Sequence, residues 1–229
     1  RLTMREEVLA AVLAADKELS RDEPEVAANI GKQLEHMGLT TWSISVRRRI
    51  RDSIARLEPK NVIQTGSGIG HLSAWLLDYF EGRDGLENYQ IIEEGNRFAV
   101  ILTRLCQRYE SVPTKIVVGT PPLLTSELKA WKISRTGDSP ILETADAIIV
   151  DAPLEKLADD ISCMLPLLNK NGVLFTTEPD PPVGDRDDDD VEVLAFNRWM
   201  DLIRDTNSTH HLAFAPLFGG TIVAWLPRD

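Results

Sequence analysis

The chain has few cysteines, and it has no apolar segment long enough to cross a membrane. Among its 229 residues, Cys106 and Cys163 are the only cysteines, and both lie in apolar helical patterns. We therefore expect buried thiols and a reducing compartment, by default the cytoplasm. The first residues are charged and do not resemble a signal peptide, and no membrane partner is expected.

Positive charge is also scarce. Lys and Arg number 25 against 36 Asp and Glu, which gives a formal net charge of −11. Binding to a phosphate backbone depends on Lys and Arg, so no nucleic-acid partner is expected. The one basic cluster, Arg47-Arg48-Arg49 with Arg51, is interpreted as the solvated face of a helix, and a local basic patch is the alternative.

The length suits one α/β unit with a sizeable core. From Lys60 onward, strand patterns alternate with helical patterns, which is typical of a parallel sheet with crossover helices. Residues 1–57 carry three helical patterns and lack a core of their own. We therefore predict an N-terminal helical extension over residues 1–57 and a second region over residues 58–229, forming one compact unit. An antiparallel hairpin is predicted around Gly219-Gly220.

Several element bounds follow from the same patterns. They predict helices over Met4–Lys17, Glu25–Met37, Ser43–Leu57 and Leu154–Leu168, with Pro166 distorting the last turn of the last one. A loop is predicted at Pro121-Pro122, followed by a short helix near Ser126–Trp131.

A glycine-rich loop is the best-defined motif. Gly66, Gly68 and Gly70 alternate directly after the strand pattern N-V-I-Q-T, and an amphipathic helical pattern follows them. Such glycines let a ligand approach the backbone, and the helix N-terminus offers unpaired N–H groups. A dinucleotide-binding fingerprint would have its last glycine at position 71, which is His71, and no P-loop lysine follows. A glycine turn without a ligand is the alternative.

Ligands of open α/β sheets bind beyond the carboxyl ends of the strands. The second predicted strand ends at Glu93-Glu94, where a carboxylate can accept hydrogen bonds from ribose hydroxyls. A solvated pair of glutamates is the alternative. The third strand ends at Gly119-Thr120-Pro121, placed to flank an adenine ring, and the fourth ends at Asp151.

The order of these motifs resembles the class I S-adenosylmethionine (SAM)-dependent methyltransferases, and among them the catechol-type O-methyltransferase family. The loop G-S-G-I-G resembles their motif I, and the segments I-I-V-D-A, L-L-N-K-N-G-V-L and P-L-F-G-G-T-I-V-A follow in the family's order. The likeness covers roughly Gly38 to Leu226. It implies a Rossmann-like methyltransferase fold over residues 58–229, with a mostly parallel central sheet and an antiparallel last strand.

The resemblance also implies a cofactor and a site. SAM, or its product S-adenosylhomocysteine (SAH), is expected to bind, and a small molecule is expected to accept the methyl group at a hydroxyl. Gly66, Gly68, Gly70 and Glu93 would hold the amino-acid and ribose parts of the donor, and Asp151 would lie beside the methyl group. Glu94 is the alternative to Glu93, and Gly119 and Thr120 would lie near the adenine.

Three departures from the family pattern change the expectations. Gln64 replaces the usual acid, so a hydrogen bond to the donor is kept without its charge. Thr177-Glu178 replaces the Asp-Asn pair of metal-dependent members, and no metal is expected because a hard cation needs several oxygen ligands. Leu154 stands where the family has a lysine, so no general base is marked by the family pattern. His71 and Asp151 are the catalytic candidates. The alternative for His71 is that it only caps the helix or lines the pocket.

Two functions stay open: a SAM-dependent O-methyltransferase, and a degenerate fold that serves as a binding or scaffold protein. A third hypothesis, a dinucleotide-dependent oxidoreductase, is less favoured because His71 stands where the fingerprint has its last glycine. Surplus apolar positions in Met4–Met37, together with the resemblance, predict a homodimer in which this segment contributes to the interface or to a lid. Trp42 would either line the acceptor pocket or fasten the helices to the sheet.

Overall fold

The computed structural model describes residues 3–229 of the chain. This part contains seven strands and eight α-helices. The helices are α1 (Met4–Val12), α2 (Glu25–Met37), α3 (Ile44–Leu57), α4 (His71–Phe80), α5 (Asn96–Cys106), α6 (Pro121–Ser134), α7 (Leu154–Met164) and α8 (Val191–Thr206). The strands are β1 (Asn61–Thr65), β2 (Asn88–Glu93), β3 (Thr114–Val118), β4 (Ala145–Val150), β5 (Leu168–Thr177), β6 (His210–Leu217) and β7 (Gly220–Pro227).

The strands form one sheet in the order β3-β2-β1-β4-β5-β7-β6. Strands β1 to β5 pair in parallel, whereas β7 runs antiparallel to both β5 and β6. The predicted fold class is therefore confirmed, including the antiparallel last strand and the hairpin between Leu217 and Gly220. The strand order reverses between β1 and β4, and such a switch point opens a crevice at the carboxyl ends of the strands.

Helices cover both faces of the sheet, so the central strands are apolar on both sides. In β1, Val62 and Ile63 point to opposite faces and are fully buried. Apolar side chains of α1 to α5 pack on the face of Val62, and those of α6 to α8 pack on the face of Ile63. The N-terminal helices thus share one hydrophobic cluster with the sheet. The boundary predicted at residue 57 stays a prediction, and residues 1 and 2 lie outside the described part.

Two arginines of α3 are buried, and for these two the interpretation as a solvated face is wrong. Arg47 and Arg51 are only 6% and 5% exposed. Arg51 pairs with Asp52 at 2.8 Å and donates to the carbonyl oxygen of Ser20 at 2.7 Å. Arg56 donates to the carbonyl oxygen of Ala14 at 2.6 Å. These guanidinium groups supply the donors that the irregular segment between α1 and α2 lacks.

Other differences from the prediction are local. Helix α1 ends at Val12 and not at Lys17, and Arg56 donates to the carbonyl oxygens of Ala11 and Val12, which residues 15 and 16 would bond in a longer helix. Helix α6 begins at Pro121, since prolines in the first turn need no N–H partner. Helix α7 ends at Met164 and not at Leu168, because a 3₁₀ turn containing Pro166 follows it and β5 begins at Leu168. The distortion at Pro166 is as predicted.

Two further features bear on the sequence-based expectations. Ile44, at the start of α3, is 40% exposed. Both cysteines are free: Cys106 is buried, whereas Cys163 is only half-buried. Within residues 3–229, every helix is too short or too polar to traverse a lipid bilayer.

Candidate active site

Two adjoining cavities open at the carboxyl ends of β1, β2, β3 and β4. The larger one, called the cleft, has a volume of 580 Å³ and includes Gly68, Glu93, Gly119 and Asp151 in its wall. The smaller one, called the chamber, has a volume of 150 Å³ and extends toward α2, α3 and the first turn of α4. The two share wall residues, namely Thr40, Gly66, Gly68, Phe98 and Asp151.

The three loop glycines have different roles. Gly66 has φ of 78°, and a Cβ there would overlap the carbonyl oxygen of Asp151. A Cβ at Gly70 would lie 2.5 Å from the Cδ2 atom of Leu105, so Gly70 permits the packing of the loop on α5. Gly68 has φ of 57° and no atom within 4 Å of such a Cβ. Gly68 therefore faces open space at the cleft, whereas Gly70 lies outside both cavity walls.

The two glutamates at the end of β2 differ in environment. Glu93 is 8% exposed, and its carboxylate accepts a hydrogen bond from the backbone N–H of Gly95 at 2.9 Å. Burial raises the pKa of Glu93, although the bond from Gly95 lowers it in part. Glu94 is exposed and pairs with Nζ of Lys156 at 3.0 Å. Both line the cleft, but only Glu93 offers it a buried carboxylate.

The residues at the end of β3 contribute backbone atoms to the cleft more than side-chain groups. The N–H of Gly119 donates to the carbonyl oxygen of Glu93 at 3.0 Å, and Gly119 and Pro121 line the cleft. The hydroxyl of Thr120 caps α6 by accepting from the N–H of Leu123 at 3.4 Å. Thr120 is not part of the cleft wall, so its hydroxyl serves the helix.

Asp151 lies where the two cavities meet. Its backbone N–H donates to the carbonyl oxygen of Thr65 at 3.0 Å, which holds the β4 end against the glycine loop. Burial raises the pKa of Asp151 to about 6, opposed only by a hydrogen bond from the backbone of Ala152. Burial also raises the pKa of Asp160, on the far wall of the cleft, to about 6.

Gln64 is buried at the edge of the chamber with its oxygen already bonded. The amide oxygen accepts from Oγ of Ser73 at 3.0 Å and from the hydroxyl of Tyr89. Burial raises the pKa of Tyr89, which keeps this hydroxyl protonated as a donor. The amide oxygen thus already accepts two hydrogen bonds from buried side chains, and the contact of Gln64 with the donor stays a prediction.

His71 is the centre of a polar cluster on the chamber wall. Its Nδ1 lies 2.8 Å from Oγ1 of Thr41, and its Nε2 lies 3.2 Å from Oε1 of Glu23. The same Glu23 oxygen is 2.9 Å from a terminal nitrogen of Arg47. Burial, aided by the charge of Arg47, lowers the pKa of His71 against the opposing effect of Glu23. Neither ring nitrogen is free to act directly on a ligand.

The remaining chamber wall is mostly apolar. Trp42 contributes to it, and its carbonyl oxygen accepts a hydrogen bond from Arg47. The half-buried Trp42 ring also packs against the hydrophobic cluster, so this residue both lines the chamber and joins the α2–α3 link to the core. Other apolar side chains complete the wall: Leu34, Leu39, Ile69, Leu72, Phe98 and Ile149.

A metal site is not apparent from the geometry of residues 3–229. In this part of the chain, no three or more His, Cys, Asp or Glu side chains are grouped to hold an ion. Glu178, the second carboxylate considered from the sequence, is exposed and lines neither cavity. That a metal is not needed stays a prediction.

Comparison with known proteins places this geometry in context. No protein-family model and no curated protein matches the chain. Solved structures match it over nearly its whole length. The O-methyltransferase from Bacillus cereus in complex with SAH is 14% identical, with 98% of this chain and 97% of that one covered and a TM-score of 0.63. TomG from Streptomyces achromogenes, in complex with SAM, is 15% identical over 99% and 100%, with a TM-score of 0.66.

A third match, the SAH-bound methyltransferase PaMTH1 from Podospora anserina, is 16% identical over 100% of this chain and 99% of that one, with a TM-score of 0.61. The chain has the Rossmann-like methyltransferase fold.

Within the methyltransferase fold, the residues expected from the sequence divide into three groups. Gly66, Gly68, Glu93, Gly119 and Asp151 meet at the cleft, with Glu94 at its rim. Gln64 and His71 lie on the chamber. Gly70 and Thr120 serve packing and capping. Sequence reasoning missed Glu23, Thr41 and Arg47, which have no motif and lie far along the chain from His71.

Proposed function

We propose that the protein transfers a methyl group from SAM to a hydroxyl of a small molecule. The observation that carries this proposal is the cleft at the switch point of the sheet, with open space at Gly68 on one side and the buried carboxylate of Glu93 on the other. Its 580 Å³ lies within the range of about 300–1,000 Å³ for small-molecule sites. Solved proteins of the same fold are bound to SAM or SAH.

The residues of the cleft fit the parts of this donor. Glu93 accepts hydrogen bonds from the ribose hydroxyls, and Gly119 with Pro121 flanks the adenine. The Gly66–Gly68 backbone holds the amino-acid end, and Asp151 lies beside the reacting carbon. SAM supplies an electrophilic methyl group when bound, so the protein's contribution is to align the acceptor and to exclude water.

Ligand binding tests this proposal first. Calorimetry should detect binding of SAM and SAH and none of NAD. Release of SAH from SAM with a panel of hydroxyl compounds then tests turnover. Preferential binding of NAD would contradict the proposal. Donor binding without turnover of any acceptor would favour the alternative, a binding or scaffold protein.

The proposal extends to assembly and location. Apolar side chains of the N-terminal helices and of the segment after them are exposed: Met4, Val8, Met37, Leu39 and Ile44. We propose that they are covered in a homodimer, because burying exposed apolar side chains favours association. Light scattering that returns a monomer at micromolar concentration would remove this claim. The two free cysteines accord with a cytoplasmic location.

A further inference from the structure

A series of three hydrogen-bonded side chains ends at the chamber. The hydroxyl of Thr41 meets Nδ1 of His71 at 2.8 Å, and Nε2 of His71 meets the carboxylate of Glu23 at 3.2 Å. A hydroxyl beside an imidazole that a carboxylate orients is the general arrangement by which proteins move a proton off an oxygen. The three residues come from three segments: the loop before α2, the α2–α3 link and the first turn of α4.

Arg47 sets the direction of these hydrogen bonds. Its terminal nitrogen lies 2.9 Å from the Glu23 oxygen that also faces His71. A carboxylate paired with a guanidinium is ionised and can only accept, so Nε2 of His71 must carry the proton. Nδ1 is then the acceptor, and the hydroxyl of Thr41 donates to it. The lone pairs of the Thr41 oxygen remain for a partner in the chamber.

The chamber suits a small acceptor at this position. Its volume of 150 Å³ matches that of an apolar cavity of about 150 Å³ known to bind benzene, so one six-membered ring fits. Trp42, Leu72 and Phe98 provide apolar wall, and Thr41 and His71 are polar groups on it. Gly68 and Asp151 join the chamber to the cleft, where the donor's methyl group is proposed to lie.

We propose that Thr41, His71 and Glu23 form a proton relay that takes the proton of the acceptor's hydroxyl during methyl transfer. This inference rests on the proposed function. The acceptor's proton moves to the oxygen of Thr41 while the Thr41 proton moves to Nδ1 of His71. The acceptor oxygen forms the new bond to the methyl carbon, and the electron pair of the broken S–CH₃ bond stays on sulfur. The products are the methyl ether, SAH and a His71 imidazolium that later loses its proton to water.

The charges around His71 suit this role. Glu23 and Arg47 face it from the loop before α2 and from α3, and Asp151 lies on the same chamber wall. Burial and Arg47 lower the pKa of His71, so the imidazole is neutral and able to accept at neutral pH. Thr41 is the catalytic residue that touches the acceptor, His71 is the base that receives the proton through it, and Glu23 is a positioning residue that orients His71.

The test uses 4-nitrophenol, a one-ring probe whose phenol and phenolate forms have different absorption spectra. The probe is added to protein saturated with SAH, and its ionisation is followed across pH. The bound probe should ionise at least one pH unit lower in the wild type than in Thr41→Val, about a tenfold difference in the proton equilibrium. Thr41→Ser, which restores the hydroxyl, should behave like the wild type, and Glu23→Gln should lose part of the effect.

SAH affinity is the control for folding and for the cleft, and it should stay within about twofold in every variant. Equal ionisation of the probe in the wild type and Thr41→Val would overturn the relay. Failure of the probe to bind a protein that still binds SAH would overturn the chamber as acceptor site and leave the proposed function standing. Failure of SAH to bind the wild type would overturn the proposed function, and the relay with it.

Discussion

The cleft and the chamber lie side by side, but the chain builds them in different ways. The cleft is lined by residues at or shortly after the carboxyl ends of strands, such as Gly68, Glu93 and Asp151. The chamber takes its polar residues Thr41 and Arg47 from segments that precede β1. Any side chain at the carboxyl end of a parallel strand reaches the same sheet edge, so the cleft follows from topology. The chamber depends on how the N-terminal helices dock.

The largest expected effect is at the loop that separates the two cavities. Gly66→Ala places a Cβ on the carbonyl oxygen of Asp151 at a φ of 78°. The backbone of Asp151 cannot move aside as readily as a flexible side chain could. The free energy of unfolding, measured by urea denaturation, should therefore fall by about 4 kcal/mol or more.

Gly68→Ala is the matched control, because its Cβ enters open space. Its left-handed conformation should cost only about 1–2 kcal/mol, while the added methyl weakens SAH binding in the cleft. Equal stability of the two variants would show that the contact between the loop and β4 is looser than described.

The second effect tests the chamber's dependence on α3. Arg47→Met leaves the Glu23 carboxylate and the carbonyl oxygen of Trp42 without their buried donor. The free energy of unfolding should fall by about 3 kcal/mol, measured by urea denaturation. Arg48→Met, whose one bond is to the carbonyl oxygen of Arg21 at 3.3 Å, should change it by no more than about 0.5 kcal/mol. If the free energy of unfolding fell by a similar amount in Arg47→Met and Arg48→Met, the burial of Arg47 would not contribute more to stability than the position of Arg48.

The third effect concerns donor binding in the cleft. Glu93→Ala should weaken SAH affinity by about 1.5–3 kcal/mol in calorimetry, the cost of losing a charged hydrogen-bond acceptor. Glu94→Ala should change it by no more than about 0.5 kcal/mol, because Glu94 is an exposed partner of Lys156. If only the Glu94 variant weakens binding, the ribose has been assigned to the wrong glutamate.

The fourth effect is a pH dependence at Asp151, where the cavities meet. Its pKa of about 6 exceeds the ordinary Asp value of about 3.9, so the folded chain holds this proton to higher pH than the unfolded chain. The associated stability is fully present below about pH 4 and is lost as the pH rises through about 6. Asp151→Asn should therefore be more stable than the wild type at pH 8.

The pKa difference sets an upper limit of about 3 kcal/mol, and we expect about 1 kcal/mol because water reaches the cleft. Urea denaturation of both proteins at pH 4 and pH 8 measures it. An equal change with pH in wild type and variant would assign the titration to another group, such as Asp160.

The smallest expected effect is that of a chelator. Once an acceptor is found, activity should survive EDTA, because Asp151 has no Asp-Asn pair opposite it and Glu178 lies outside both cavities. A loss of activity that magnesium restores would show that Asp151 recruits a cation by another arrangement.

Local patterns account for the features that could be predicted. Strand and helix periods in the chain predict the parallel sheet, the hairpin at its edge and the positions of Glu93 and Asp151 at strand ends. The start of α6 was missed because a Pro-Pro pair is compatible with either a loop or a first helical turn. The sequence predicts the glycine loop as a motif but not the role of each glycine. Gly68 and Gly70 differ only in their surroundings, since Gly68 faces open space and Gly70 faces Leu105.

The sequence by itself determined the fold class, the glycine loop and the residues at the strand ends, because each has a signal within a few neighbouring residues. Only the tertiary structure decided that Arg47 is buried, that the oxygen of Gln64 accepts a hydrogen bond from Ser73, and that His71 is held by Thr41 and Glu23. The partners of His71 are 30 and 48 residues away along the chain. Contacts over such separations arise from helix docking on the sheet, and docking has no local signature in the order of residues.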